Sequence, residues 1–135
     1  MQGGFYRMDE KITRLYDSEL DIMLIVWDAG QPVSSTYILE RLKGKRQWAL
    51  ATLMTVLSRL CAKGYLACEK QGRYNLYHAV LPEDEYKAFE GKSVLERIYS
   101  NSFQKLVASL YNGKAINEDD LSGLQEFLDN LKKEG

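Results

Sequence analysis

Residues 47–80, QWALATLMTVLSRLCAKGYLACEKQGRYNLYHAV, decide the fold because their pattern changes from helical to extended at Gly64. Before Gly64, apolar residues recur at intervals of three and four, which is typical of an amphipathic helix with one buried face. Gly64 suits the left-handed position that ends such a helix. The predicted buried face consists of Leu50, Leu53, Leu57 and Leu60, extended by Met54 and Cys61.

The opposite face of this predicted helix is small, polar or basic and carries no acidic residue. Its members are Ala51, Thr52, Thr55, Arg59, Ala62 and Lys63. A helix with such a face can approach a polyanion closely, because nothing on it is bulky or negatively charged.

After Gly64 the sequence predicts two strands, at residues 65–70 and 74–80, joined by a turn at residues 71–73. Tyr74, Leu76, His78 and Val80 alternate onto one side of the second strand, and Lys70 and Arg73 make the tip basic. Two strands alone are marginally stable in water, so we expect this hairpin to pack against the preceding helices.

Two shorter helices are predicted upstream. The first carries apolar residues at Leu20, Met23, Leu24 and Trp27, with Asp17 or Ser18 as its N-cap, and ends at residues 28–30. The second begins at a cap provided by Ser34 or Ser35. Its inward residues are Ile38, Leu39 and Leu42. Three helices followed by a two- or three-stranded antiparallel wing predict a mostly α fold, the winged helix-turn-helix.

The charges of the chain are segregated along the sequence. Residues 41–75 hold eight Lys and Arg residues and a single acidic residue, Glu69. The rest of the chain holds ten basic and eighteen acidic residues. A basic block inside an acidic chain predicts an anionic partner. Together with the small, acid-free face of the third predicted helix, this basic block predicts binding to double-stranded DNA.

In this interpretation the third helix enters the major groove, where Ala51, Thr52 and Thr55 read the base edges. The predicted phosphate contacts come from basic residues at the end of that helix, before it and at the wing tip. They are Arg59, Lys63, Lys43, Lys45, Arg46, Lys70 and Arg73.

Pro82 and the acidic run at residues 83–85 predict a module boundary. The resulting division is a leader at 1–14, a winged-helix domain at 15–82 and a helical dimerisation domain at 83–135. One helix is expected over residues 93–111 and another after a capping box formed by Asn117 and Asp120. Their apolar stripes favour a two-fold homodimer. The stripes consist of Leu95, Tyr99, Phe103, Leu106, Leu110, Leu121, Leu124, Leu128 and Leu131.

Other classes of function find little support. Cys61, Cys68 and His78 form no metal-ligand or disulfide pattern, so no cofactor or metal is expected. No combination of nucleophile, base or phosphate loop predicts an enzyme. The longest apolar run, residues 22–27, is too short to cross a membrane, which favours a soluble, cytoplasmic protein.

Several motifs resemble the penicillinase-repressor family, which includes the beta-lactamase, methicillin-resistance and copper-responsive repressors. The resemblance runs through SELDIMLIVWDAGQPVSSTYILERL at 18–42, residues 47–81, SVLERIYSNSFQKLV at 93–107 and EDDLSGLQEFLDNLKK at 118–133. Particular matches are Glu19, Met23, Trp27, Trp48, Thr52, Thr55, Arg59, Leu60 and residues 63–66.

The resemblance implies an N-terminal winged helix, a C-terminal dimerisation arm and repression by a homodimer on a palindromic operator. It places Trp48, Thr52 and Thr55 at the DNA, with Ala51 and Met54 beside them. The family often carries Lys or Arg at these last two positions, so the operator of this chain is expected to differ.

Two further departures concern the signal that lifts repression. Ser109-Leu110 stands where beta-lactam-responsive members have the Asn-Phe bond cut on induction, which weighs against cleavage there in a membrane sensor-protease pathway. No cysteine follows Cys68, which excludes the copper-sensing cysteine cluster. Two alternatives stay open: a winged-helix regulator that binds a ligand between the predicted helix at 95–110 and the wing domain, and a winged helix used for protein contacts.

Overall fold

The computed structural model describes residues 12–134. Its elements follow the predicted winged-helix order, with a third short strand and three further helices. They are α1 (Asp17–Ala29), β1 (Val33–Ser34), α2 (Ser35–Leu42), α3 (Leu50–Ala62), β2 (Leu66–Gln71), β3 (Tyr74–Ala79), α4 (Glu83–Tyr99), α5 (Phe103–Asn112) and α6 (Glu118–Glu134). The described residues contain no helix long and apolar enough to cross a membrane.

The wing is a three-stranded antiparallel sheet in the order β1-β3-β2. The hairpin register pairs Gln71 with Tyr74, and Gly72 between them has a φ of 63°. β1 adds to the far edge of β3 by pairing Val33 with Tyr77. This strand anchors the wing to the segment between α1 and α2, which the hairpin alone could not do.

The core of the first unit lies between α1, α2, α3 and the inner face of the sheet. In the stripe predicted for α1, Met23 is buried, but the prediction is wrong at Leu24, which is exposed. Ile22 and Val26 are buried although the predicted stripe does not include them. Leu53, Leu57 and Leu60 are buried as predicted, and Val56 joins them. The prediction for Leu50 is wrong, because it is 49% exposed. Leu50 is the first residue of α3, one turn before the buried stripe begins.

The helix caps are set by local sequence. Ser34 caps α2 as predicted, since its Oγ accepts from the amide of Tyr37 at 3.1 Å. Gly64, at φ 81°, donates to the carbonyl of Cys61, while the next amide bonds to Leu60, both at 3.0 Å. These two bonds close α3 with a Schellman motif.

The N-cap predicted for α1 is wrong. The residue before the helix is Tyr16, not Asp17 or Ser18. The amide of Tyr16 donates to Oε1 of Glu19 at 3.0 Å, so a carboxylate from inside the first turn satisfies the free donor. Asp17 lies within the helix itself.

The chain divides into two compact units, Met1–Glu90 and Gly91–Gly135, rather than at the composition change after Pro82. The first turns of α4 belong to the first unit because Tyr86 is buried there, with its ring 6.1 Å from that of Trp27. The tyrosine hydroxyl accepts from the amide of Leu15 at 2.8 Å. Ile12, near the end of the predicted leader, is buried in the core, as is Leu15, the first residue of the predicted domain. Residues 1–11 of that leader lie outside the described residues.

In the second unit the single helix predicted over residues 93–111 is wrong. Ser100 and Asn101 adopt left-handed φ values of 51° and 66°, which end α4. Ser102 then caps α5, its Oγ accepting from the amide of Lys105 at 3.1 Å. The capping box before α6 is confirmed, with reciprocal bonds between Asn117 and Asp120 at 2.8 and 2.9 Å.

Candidate nucleic-acid interface

The outward face of α3 is the predicted recognition surface. Ala51, Thr52 and Thr55 are all exposed, and the helix contains no acidic residue. The hydroxyl of Thr55 donates to the carbonyl of Ala51 at 3.1 Å. This bond uses the hydroxyl proton, so the side chain can accept a hydrogen bond from a base amino group or place its methyl against thymine.

A wholly buried carboxylate, Glu19 of α1, lies under the C-terminal end of α3. Its oxygens accept from Nζ of Lys63 at 2.8 and 3.1 Å, and Nε of Arg59 lies 3.7 Å away. Lys63 is therefore committed to the interior of the domain, whereas the side chain of Arg59 stays 46% exposed. Of these two predicted phosphate ligands, Arg59 is the accessible one.

A second carboxylate of α1, Asp21, holds the loop that precedes α3. Nε of Arg46 lies 2.8 Å and Nζ of Lys45 3.2 Å from its oxygens. Burial alone would raise the pKa of Asp21, but the hydrogen bonds from Arg46 and Lys45 hold that pKa below its usual value. The guanidinium of Arg46 also lies over the ring of half-buried Trp48, 5.6 Å from its centre. Trp48, two residues before α3, thus packs against Arg46 and supports the loop.

The remaining predicted cations are at the surface. Lys43 lies 3.2 Å from Glu40, but both side chains are well exposed, and such pairs contribute little. Lys70 and Arg73 are exposed near the wing tip, and no carboxylate of residues 12–134 lies within ion-pair distance of either. The positive charge of the wing tip is therefore not neutralised by a neighbouring carboxylate of the described residues.

Charge that is segregated in sequence is thus partly compensated in space. Lys45, Arg46, Arg59 and Lys63 from the basic block face Glu19 and Asp21 from the acidic first segment. A count of charges by segment does not reveal that Glu19 and Asp21 pair with these cations. The spacing of the two carboxylates by two residues, at the start of an amphipathic helix, was the available signal.

The thiols lie near one another but show no sign of a metal centre. Cys68 is paired with Tyr77 across the wing, and burial raises the pKa of both Tyr77 and Cys61. Among the described residues there is no group of three or more His, Cys, Asp or Glu side chains placed to hold a metal ion.

Comparison with known proteins places these features in context. Residues 15–130 match the family model described as penicillinase repressor. An uncharacterized 16.5 kDa protein of Latilactobacillus sakei is 33% identical over 121 residues, which are 90% of this chain and 82% of that protein. The penicillinase repressor of Bacillus licheniformis is 27% identical over 128 residues, 93% of this chain and 99% of the repressor.

Among solved structures, the monomeric Bacillus licheniformis BlaI in complex with the blaP half-operator is similar to part of the chain. It shares 29% identity and a TM-score of 0.48, covering 56% of this chain and 90% of that one.

Proposed function

Because the chain belongs to the penicillinase repressor family, whose members are DNA-binding regulators and not enzymes, we propose that it represses transcription as a homodimer on a palindromic operator. Repression in this proposal takes place in the cytoplasm, by occupation of promoter DNA. The observation that carries the proposal is the exposed, acid-free face of α3 beside the basic wing tip.

The proposed contacts follow from the geometry. A B-DNA major groove about 12 Å wide admits one helix, and the small side chains at Ala51, Thr52 and Thr55 let α3 come close to the base edges. Arg59, Lys43, Lys70 and Arg73 are accessible cations for phosphates, and Lys45 is exposed but paired with Asp21. Phosphate contacts fix register without reading sequence. The missing Lys or Arg at Ala51 and Met54 makes the methyl and hydroxyl groups of the two threonines the main base-reading groups.

The proposed dimer rests on apolar side chains that the second unit leaves uncovered. Several large ones are exposed on its helices, and a second copy is the simplest partner for them. They are Ile98, Phe103, Tyr111, Phe127, Leu128 and Leu131. A two-fold dimer would read an operator of matching symmetry, hence the palindrome.

The bond between Ser109 and Leu110 lies inside α5, and the hydroxyls of Ser109 and Tyr99 are 3.2 Å apart. A protease would have to unfold this helix to reach the bond, since cleavage needs an extended backbone.

The proposal is tested by fluorescence anisotropy with a duplex from the chain's own promoter. The wild type should bind with an affinity that falls steeply as salt rises, because phosphate contacts release counterions. Replacing Thr52 and Thr55 by Glu should abolish binding. Replacing the exposed Ser122 and Asn130 of α6 by Glu adds the same charge away from α3 and should leave the protein competent. Binding that is insensitive to salt, or equal in the two double variants, would contradict the proposal.

A further inference from the structure

Asp21 lies on α1, a helix that does not face DNA in the proposed complex. Its ion-pair partners, by contrast, are cations that were predicted to contact DNA phosphates. Asp21 holds Lys45 and Arg46 at the same time, at 3.2 and 2.8 Å. Both cations belong to the loop between α2 and α3, immediately before the recognition face. Each can therefore bind either this carboxylate or an incoming phosphate.

The burial of these side chains indicates that the pairs are exchangeable. The side chain of Lys45 is 69% exposed, and that of Asp21 keeps 12% of its surface in contact with solvent. Arg46 and Lys63 are both 28% exposed, so the two sites differ at the carboxylate and at Lys45: Glu19 is wholly buried, whereas Asp21 is not. Separating an exposed ion pair costs little free energy because water screens both charges. A wholly buried carboxylate that released its cation would remain charged and unpaired, which costs far more.

We propose that Asp21 is an internal competitor for DNA phosphate, which holds Lys45 and Arg46 in the free protein and yields them to the DNA backbone on binding. This inference rests on the proposed DNA-binding function. Carboxylate and phosphate oxygens accept charge-assisted hydrogen bonds from the same donors, so the exchange needs only side-chain rotation. Asp21 thereby lowers the affinity for all DNA without touching it, which leaves a larger share of the binding energy to base contacts.

A purely structural role for Asp21 predicts the opposite sign. If the carboxylate served mainly to fix the loop before α3, its removal would disorder that loop and weaken binding to DNA. If it competes with phosphate, removal frees two cations and strengthens binding. The direction of the change therefore separates the two roles.

The test compares Asp21→Asn with Asp28→Asn, by anisotropy on the promoter duplex and on a scrambled duplex of equal length. Asp28 lies on α1, is exposed and has no cation within ion-pair distance among the described residues, so its replacement controls for net charge. We expect Asp21→Asn to bind both duplexes about two- to tenfold more tightly than wild type, the range implied by one exposed and one partly buried ion pair. Asp28→Asn should change affinity by less than this. Equal or weaker binding by Asp21→Asn overturns the inference.

A double-mutant cycle assigns the gain to the two cations. In a chain that carries Lys45→Gln and Arg46→Gln, Asp21→Asn should no longer strengthen binding, because no cation is left to release. A gain that persists in this background would mean a general charge effect and would also overturn the inference.

Elution from a heparin column separates this inference from the proposed function. Heparin is a polyanion without bases, so Asp21→Asn should elute at higher salt than wild type and Asp28→Asn even if no promoter duplex is bound. That combination would contradict repression while supporting the competition by Asp21. If the wild type bound the promoter but Asp21→Asn eluted from heparin at the same salt as wild type, the proposed function would be supported and the competition by Asp21 contradicted.

Discussion

Individual side chains decide how rigidly α3 is presented. Glu19 is the one carboxylate that is wholly buried among residues 12–134, and each of its contacts satisfies a different part of the fold. It accepts from the amide before α1 and from the ammonium of Lys63 at the end of α3. This arrangement favours one placement of α3 on α1. A shift of either helix would separate Glu19 from Lys63 and leave a buried carboxylate without a counter-charge.

Replacing Glu19 by Gln should therefore destabilise the protein. The amide cannot neutralise Lys63, which would be left charged and largely buried, and we expect a loss of about 2–4 kcal/mol in the free energy of unfolding. Urea denaturation followed by tryptophan fluorescence measures it. Glu40→Gln, which removes an exposed pair with Lys43, should cost at most about 0.5 kcal/mol. Equal losses in the two variants would show that Glu19 is not the anchor described here.

Tyr86 ties the N-terminal segment to α4, and its ionisation should be visible in stability. Burial raises the pKa of Tyr86 to about 12. The unfolded chain therefore loses this proton first, so the contribution of the neutral phenol is complete below about pH 10 and disappears as pH rises toward 12. Tyr86→Phe should cost about 1–3 kcal/mol at neutral pH, because the amide of Leu15 loses its partner.

The measurement is the difference in unfolding free energy between wild type and Tyr86→Phe as a function of pH. It should be constant below about pH 10 and shrink above it. Tyr74→Phe serves as the control, because Tyr74 is exposed in the wing. A difference between wild type and Tyr86→Phe that does not change with pH would mean that the buried phenol is not the titrating group.

At the level of elements, the sequence predicted those structures whose signals are local. The apolar stripes of α2 and α3, the Ser34 cap, the Gly64 ending and the Asn117 capping box all depend on residues within a turn of one another. β1 was harder to predict because two residues, Val33 and Ser34, carry no alternation. The extension of the first unit to Glu90 depends on Tyr86 packing against Trp27, a contact distant in sequence.

The break between α4 and α5 is an element-level feature that a local signal could have revealed. The triplet Ser100, Asn101 and Ser102 contains three residues that favour turns and caps, but the apolar periodicity from Leu95 to Leu110 continues across it. The periodicity therefore predicts one helix, whereas the cap-forming triplet divides it into two. Of the predicted stripe on these two helices only Phe103 is exposed, and the proposed dimer surface instead includes Ile98 and Tyr111.

Ser102→Ala should weaken the second unit, because the amide of Lys105 at the start of α5 loses its acceptor. The expected cost is about 1 kcal/mol in the free energy of unfolding, measured by urea denaturation with circular dichroism. Ser122→Ala, inside α6, should be neutral or slightly stabilising because Ala is the better helix former. A cost at Ser102 no greater than that at Ser122 would contradict the cap.

For the whole molecule, the two units carry different kinds of surface. The first has a polar and basic face, and the second leaves large apolar side chains in contact with water. Exposed apolar side chains that gather on one surface often mark a protein interface. A winged helix offers one recognition helix, so a dimer formed through the second unit would double the DNA contacts. Once one half of the dimer is bound, the other half would bind its half-site at a high effective concentration.

Phe127→Lys together with Leu131→Lys should therefore shift the protein from dimer to monomer, as measured by light scattering during size-exclusion chromatography. These residues lie one turn apart on α6 and are 57% and 48% exposed, so the lysines are tolerated in the monomer but would place four cations at a two-fold contact. Promoter affinity should fall by at least about tenfold, because a monomer loses the second half-site. Ser122→Lys with Asn130→Lys adds the same charge outside the apolar stripe and should leave the dimer intact. A Phe127, Leu131 variant that remained dimeric with unchanged promoter affinity would mean that another surface joins the two copies.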